Sequence, residues 1–191
     1  MSRQTSKTYI TPEEYLAFER AAEYKNEYFD GEIFAMTGAS RKHNLIAMNL
    51  SGLLWQQLKG KPCEVYPSDM RVRIPAANLY TYPDVVVVCG EPQFEDEQVD
   101  TLLNPTLLVE VLSKSTAAYD RSVKSGYYRT IELLAEYLLV AQTEHRVERY
   151  TRRTDESWVL TDFRTLEGAI ELTSIQCVLA MREIYDKVTL T

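Results

Sequence analysis

The stretch Tyr82-Pro83-Asp84-Val85-Val86-Val87-Val88-Cys89 decides how the chain is read. Four consecutive valines leave no polar side, which marks a strand covered on both faces. Thr106 to Leu112 (Thr-Leu-Leu-Val-Glu-Val-Leu) is a second apolar strand. Each is associated with one acid: Asp84 at the entrance to the valines, and Glu110 between Val109 and Val111 near the end of its strand. An ionised carboxylate is costly to bury unless it is paired or bound to a metal. Two of them at corresponding ends of neighbouring strands repel unless a cation lies between. Magnesium accepts such a site, taking one or two carboxylates and completing its shell with waters and phosphate oxygens. For either acid singly, the competing explanation is an arginine partner or a backbone amide.

Upstream, residues 1–10 read as a loose tail. Thr11-Pro12-Glu13-Glu14 then opens a helix. Thr11 caps it, Pro12 suits its first position and Glu14 completes a capping box. Tyr15, Leu16 and Phe18 begin its apolar face, and it ends near Lys25. Asp30-Gly31 is a two-residue hairpin signal between short strands. After a loop from Thr37 to Arg41, Ile46, Leu50, Leu53, Leu54 and Leu58 recur at helical spacing, and Gly60 and Pro62 close that helix. Cys63–Tyr66 and Met70–Ile74 read as strands, the second with one wet face because Arg71-Val72-Arg73-Ile74 alternates. Gly90 to Leu103 is acidic, lacks periodicity and reads as a surface loop.

Downstream, Ser115 and Thr116 can cap a third helix whose apolar stripe is Val123, Tyr127 and Ile131. Glu136–Ala141, Arg146–Thr151 and Trp158–Thr161 form a strand series with a turn at Thr154-Asp155-Glu156, and Leu179 to Val188 reads as a short helix. The order predicts an α/β chain with a mixed sheet and helices packed against it.

Two further site candidates follow from position. Glu27, just after the first helix, is either a third metal-binding carboxylate or a surface acid. Lys124 lies four residues after Asp120, so the two share a helix face. Either Lys124 runs along the sheet-facing side, or the two form an exposed pair worth about 0.3–0.5 kcal/mol. Asp69 is either a further metal-binding carboxylate or, in preference, a turn residue bonding its own backbone; Lys114 is either a cation near Glu110 or, in preference, a solvated loop lysine; His145 reads as a turn residue. His43, near the start of the second helix, either packs there or contacts a phosphate or water.

The 191 residues favour one domain spanning 1–191. Hydrophobic content of 45% and charge of 26% are ordinary for a globular protein. The N-terminus has no apolar stretch suited to a signal peptide, and no apolar run is long enough to span a membrane; the expectation is a cytoplasmic chain. The net charge of −7 counts against a broad DNA-binding face while permitting a local basic patch. Cys63, Cys89 and Cys177 have neither zinc nor redox spacing and read as separate thiols. There is no GxxxxGK[ST] loop, GxGxxG turn or GxSxG elbow, and two histidines are too few for a His-rich zinc site.

Several segments together resemble a bacterial family, abundant in cyanobacteria, grouped with the PD-(D/E)XK restriction-endonuclease-like superfamily. They are Glu27-Tyr28-Phe29-Asp30-Gly31-Glu32, Tyr82-Pro83-Asp84-Val85-Val86-Val87, Val109-Glu110-Val111-Leu112-Ser113, Ser115-Thr116, Asp120 to Lys124, and Glu136-Tyr137-Leu138-Leu139-Val140. The resemblance runs from about Thr11 to Tyr185. It implies a restriction-endonuclease-like mixed sheet flanked by helices, and an endonuclease using Mg²⁺ or Mn²⁺ to hydrolyse DNA, with a homodimer expected by fold analogy. Asp84 takes the place of the PD aspartate and Glu110 that of the second acid. Glu27 resembles the helix-borne glutamate many members add. The lysine expected two residues after Glu110 is replaced by Leu112, and Lys124 resembles a relocated lysine on the following helix. That departure keeps open a catalytically inactive nucleic-acid-binding or protein-interaction module.

Overall fold

The computed structural model describes residues 9–113 and 117–190. Lys114 and the Ser115/Thr116 cap lie outside them. Helix α1 (Pro12–Ala21) starts on the expected capping box, with Thr11 and Glu14 each accepting the other's backbone N–H. It ends before Lys25, and Phe18 points outward. Strands β1 (Asn26–Phe29) and β2 (Glu32–Ala35) meet at Asp30-Gly31, whose φ angles of 43° and 90° fit a hairpin turn.

Helix α2 (Arg41–Leu58) leads into β3 (Cys63–Pro67), β4 (Arg71–Ile74), β5 (Leu79–Thr81), β6 (Val85–Cys89), β7 (Thr101–Leu102) and β8 (Leu107–Leu112). A helical segment follows: α3 (Ala117–Tyr119), a π-turn (Asp120–Lys124) and α4 (Ser125–Tyr128). Strands β9 (Glu136–Ala141), β10 (Val147–Arg152), β11 (Trp158–Phe163), β12 (Ala169–Leu172) and β13 (Cys177–Ala180) precede α5 (Met181–Ile184).

The central sheet has the order β11-β10-β9-β8-β6-β3, parallel only between β8 and β9. Its valine strand works as the sequence implies. Val85 and Val87 join Ile46, Leu50, Leu54 and Leu58 of α2 on one face. Val86 and Val88 join Tyr128, Ile131 and Leu134 on the other. A second sheet, β2-β1-β5-β4-β7, carries a cluster of Tyr15, Leu16, Tyr28 and Tyr80.

Four expectations are corrected. The stretch from Gly90 to Leu103 is not wholly surface loop, because Thr101–Leu102 pairs with β4 and is buried. Arg71 is buried too, so β4 has no freely wet face there; its Nε donates to Thr101 and its Nη1 to Tyr82. The C-terminal helix shrinks to α5, its start being taken by β13. Cys63 and Cys89 are not separate thiols: antiparallel β3–β6 pairing sets them opposite each other and they form a disulfide. Cys177 is a buried free thiol.

Candidate active site

The β6–β8 register pairs Val85 with Val109. One further step sets Asp84 beside Glu110, in the wall of a cavity of about 1080 Å³ that both line. Asp84 Oδ2 accepts the Val111 backbone N–H at 2.7 Å, and His43 Nε2 lies 3.1 Å from the same oxygen. Asp84 therefore does accept a backbone amide, as its simpler explanation required, while remaining on the cavity wall. Ser40 caps α2 and places His43 in its first turn, facing the cavity.

Glu110 is buried on β8. Its Oε1 accepts from the Tyr128 hydroxyl and lies 2.9 Å from Lys124 Nζ. The same ammonium is 3.1 Å from Glu27 Oε1, which also accepts from Thr81 Oγ1. Lys124 thus bridges two acids carried by different sheets. Glu27 stands on strand β1 rather than on a helix, so only its chemistry, not its element, follows the family pattern.

The third helical segment keeps part of its expected stripe, Ile131 being buried and Tyr127 packing against the same core, and adds a buried polar face. Val123 is exposed, whereas Asp120, Lys124 and Tyr128 are buried. Their spacing of four residues places them on one face, and that polar face, not the apolar one, meets the acids. Asp120 and Lys124 are consequently not an exposed surface pair. The π-turn from Asp120 to Lys124 lies at this site, a common setting for such turns. Leu112 is buried in the same core cluster as Tyr128 and does not line the cavity.

The electrostatics follow from burial and crowding. Burial pushes the Glu110 carboxyl up, Lys124 pulls it down, and the Asp84 and Asp120 charges push it up again, leaving it above the usual carboxylate value. Burial opposes the Lys124 ammonium, but Glu110, Tyr128 and Glu27 outweigh that and hold its pKa well above the ordinary lysine value. Burial likewise opposes ionised Glu27, yet Lys124 and Thr81 bring it below the usual carboxylate value. For His43, burial is outweighed by Asp84 and its pKa rises.

The other candidates fall elsewhere. Asp69 is a highly exposed turn residue paired with Lys25 at 2.9 Å. His145 packs edge-on against Tyr185. Tyr128, which donates to Glu110, and Asp120, buried beside Lys124, are site residues beyond those expected from the sequence. The four-residue spacing of Asp120, Lys124 and Tyr128 was the available signal.

The Uma2 family, described as "Putative restriction endonuclease", matches residues 12–182. The chain belongs to this family. Two relatives from Synechocystis sp. (strain ATCC 27184 / PCC 6803 / Kazusa) are similar over most of their length. Uncharacterized protein sll1609 is 43% identical over 162 residues, 85% of this chain and 92% of the relative. Uncharacterized protein slr1290 is 39% identical over 176 residues, 92% of this chain and 91% of the relative. A crystal structure from Anabaena variabilis ATCC 29413, described as a putative nuclease belonging to DUF820, superposes with a TM-score of 0.76. It is 17% identical and covers 94% of this chain and 99% of its own. The Uma2 chain thus has the mixed α/β, restriction-endonuclease-like fold. Among the described residues, no helix is long and apolar enough to cross a membrane.

The donor chemistry is that of hard oxygen ligands. Asp84, Glu110 and Glu27 offer carboxylate oxygens, of which Glu110 Oε1 and Glu27 Oε1 are engaged by Lys124, leaving Asp84 and the second oxygens of the two glutamates for an ion. Among the described residues, no three His, Cys, Asp and Glu side chains form a ready metal-binding group. Magnesium needs only one or two carboxylates when water and phosphate complete its shell.

Proposed function

We propose that this Uma2 chain is a metal-dependent endonuclease that hydrolyses phosphodiester bonds in DNA. Asp84 and Glu110, with Glu27, would hold one or two Mg²⁺ or Mn²⁺ ions. The observation that carries this reading is the buried Lys124 ammonium, paired with Glu110 and Glu27 beside Asp84. A lysine relocated to the helix after β8 therefore has a direct route to the acids.

When bound, the metal supplies Lewis-acid polarisation of the phosphate and a water of lowered pKa. Asp84 and Glu110 would provide its oxygen ligands. His43 and the Val111 amide hold Asp84 in place. Lys124 orients the attacking water and offsets charge developing on the phosphate.

Plasmid nicking with Mg²⁺ or Mn²⁺ tests the reading. Wild type should nick, EDTA should abolish nicking, and Asp84→Asn should lose at least about two orders of magnitude, as removal of a charge-stabilising group does. Absence of metal-dependent nicking, or equal nicking by Asp84→Asn, contradicts it. The net charge of −7 and Leu112 favour a second reading, a chain that binds nucleic acid without turnover; metal and DNA binding without cleavage supports that one. Fold analogy also supports a homodimer. Light scattering should then give twice the chain mass of 22.0 kDa, and a single-chain mass contradicts it.

A further inference from the structure

The cavity mouth carries three exposed aromatic side chains that hydrolysis does not use. Tyr24 follows α1, Phe34 lies on β2 and Tyr119 ends α3; they are 76%, 48% and 37% exposed, and all three line the cavity. Phe34 is the cross-strand partner of Glu27, so the two side chains leave the hairpin on one face. A lone exposed aromatic is ordinary. Three from separate elements around one cavity form a set. Arg41 and Lys42, in the first turn of α2, line the same cavity.

Asp84 and Glu110 sit deep, with side chains only 13% and 9% exposed. A duplex turns its base faces inward, so exposed rings have nothing to stack on. An unpaired strand offers flat base faces and a flexible backbone that can enter a recess. The net charge of −7 also weakens the electrostatic grip on which duplex binding relies. Stacking depends far less on that charge, and two local cations can still track the backbone.

We infer that this cavity takes a single-stranded or locally unpaired nucleic-acid segment. Its bases stack on Tyr24, Phe34 and Tyr119, and Arg41 and Lys42 face its phosphates. The inference rests on the nuclease reading only for what happens at the cavity floor.

Fluorescence anisotropy in EDTA, where no cleavage occurs, isolates binding. The probes are a labelled oligothymidylate of about 16 nucleotides and the duplex of the same length. The strand should bind roughly tenfold more tightly than the duplex. Tyr24→Ala and Phe34→Ala should each weaken strand binding roughly tenfold and leave duplex binding unchanged. Phe34→Tyr should retain strand affinity and Phe34→Leu should lose it, which separates stacking from apolar contact. Circular dichroism checks that the surface variants remain folded. Equal or tighter duplex binding, strand affinity unmoved by ring removal, or no binding of either form overturns the inference. Metal-dependent plasmid nicking alongside duplex preference removes this inference and leaves the hydrolytic reading standing. Ring-dependent strand binding without metal-dependent cleavage supports this inference and removes the hydrolytic reading.

Discussion

Tyr128 and Lys124 govern the state of Glu110 from one helix face. The Tyr128 hydroxyl donates to Glu110 Oε1, and both residues are buried. Tyr128→Phe removes that donor and leaves a buried acceptor short of a partner. The expected loss is about 1–3 kcal/mol of unfolding free energy, read by urea denaturation; an equally stable variant would mean that the hydroxyl does not support Glu110. Lys124→Met has a different signature. It leaves Glu27 and Glu110 without their shared cation, so the variant should be about 3–5 kcal/mol less stable. A divalent cation binding the released acids should partly restore it. Mn²⁺ should therefore raise Tm in wild type and raise it more in Lys124→Met; no increment in either protein would show that the acids do not hold the ion. Asp84 and Glu110 were legible because acids beside valine runs need an explanation. Tyr128 was not, since a tyrosine in a helix reads by its ring and its hydroxyl partner lies on a strand 18 residues away.

Three elements are tied together at Asp100, just before β7. Arg20 of α1 donates to both its oxygens, at 2.8 and 2.9 Å, and Arg71 of β4 lies 2.8 Å away. Arg20 holds the Asp100 carboxyl well below the usual carboxylate range, against the effect of burial and with help from Arg71. A folded pKa below the unfolded value of about 3.9 stabilises the fold above that value. The contribution is lost as pH falls towards the folded pKa. Wild type should thus exceed Asp100→Asn in stability near neutrality, and the gap should narrow below about pH 4. A gap independent of pH would assign the effect to packing rather than charge. At the β1–β2 hairpin, Gly31 has φ +90°, and an added Cβ would fall 2.2 Å from the Tyr9 ring. Gly31→Ala should lower stability by about 1 kcal/mol or more, measured by thermal unfolding. This hairpin was legible because Asp-Gly carries its own turn preference. Strand β7 was not: its two residues become a strand only through parallel pairing with β4, a contact between segments 30 residues apart.

Across the whole molecule, the central sheet is the best-announced feature. Its valines alternate between α2 and the Tyr128 side, and that double covering is written in their unbroken apolar run. Long-range partnerships were hidden. Cys63 and Cys89 meet across 26 residues because β3 and β6 are antiparallel, and spacing alone does not reveal that register. The helical segment 117–128 was legible in part: Lys124 on the sheet-facing side was one of two readings, whereas the burial of Asp120 and Tyr128 beside it was not announced. The sheet-facing orientation brings Lys124 to the acids despite Leu112 at the usual lysine position. Whether those acids form a divalent-cation site is measured most directly by calorimetric titration of Mn²⁺ into wild type and into the Asp84→Asn/Glu110→Gln double variant. The expected result is saturable binding to wild type that disappears in the double variant. Equal binding to both proteins would contradict the assignment.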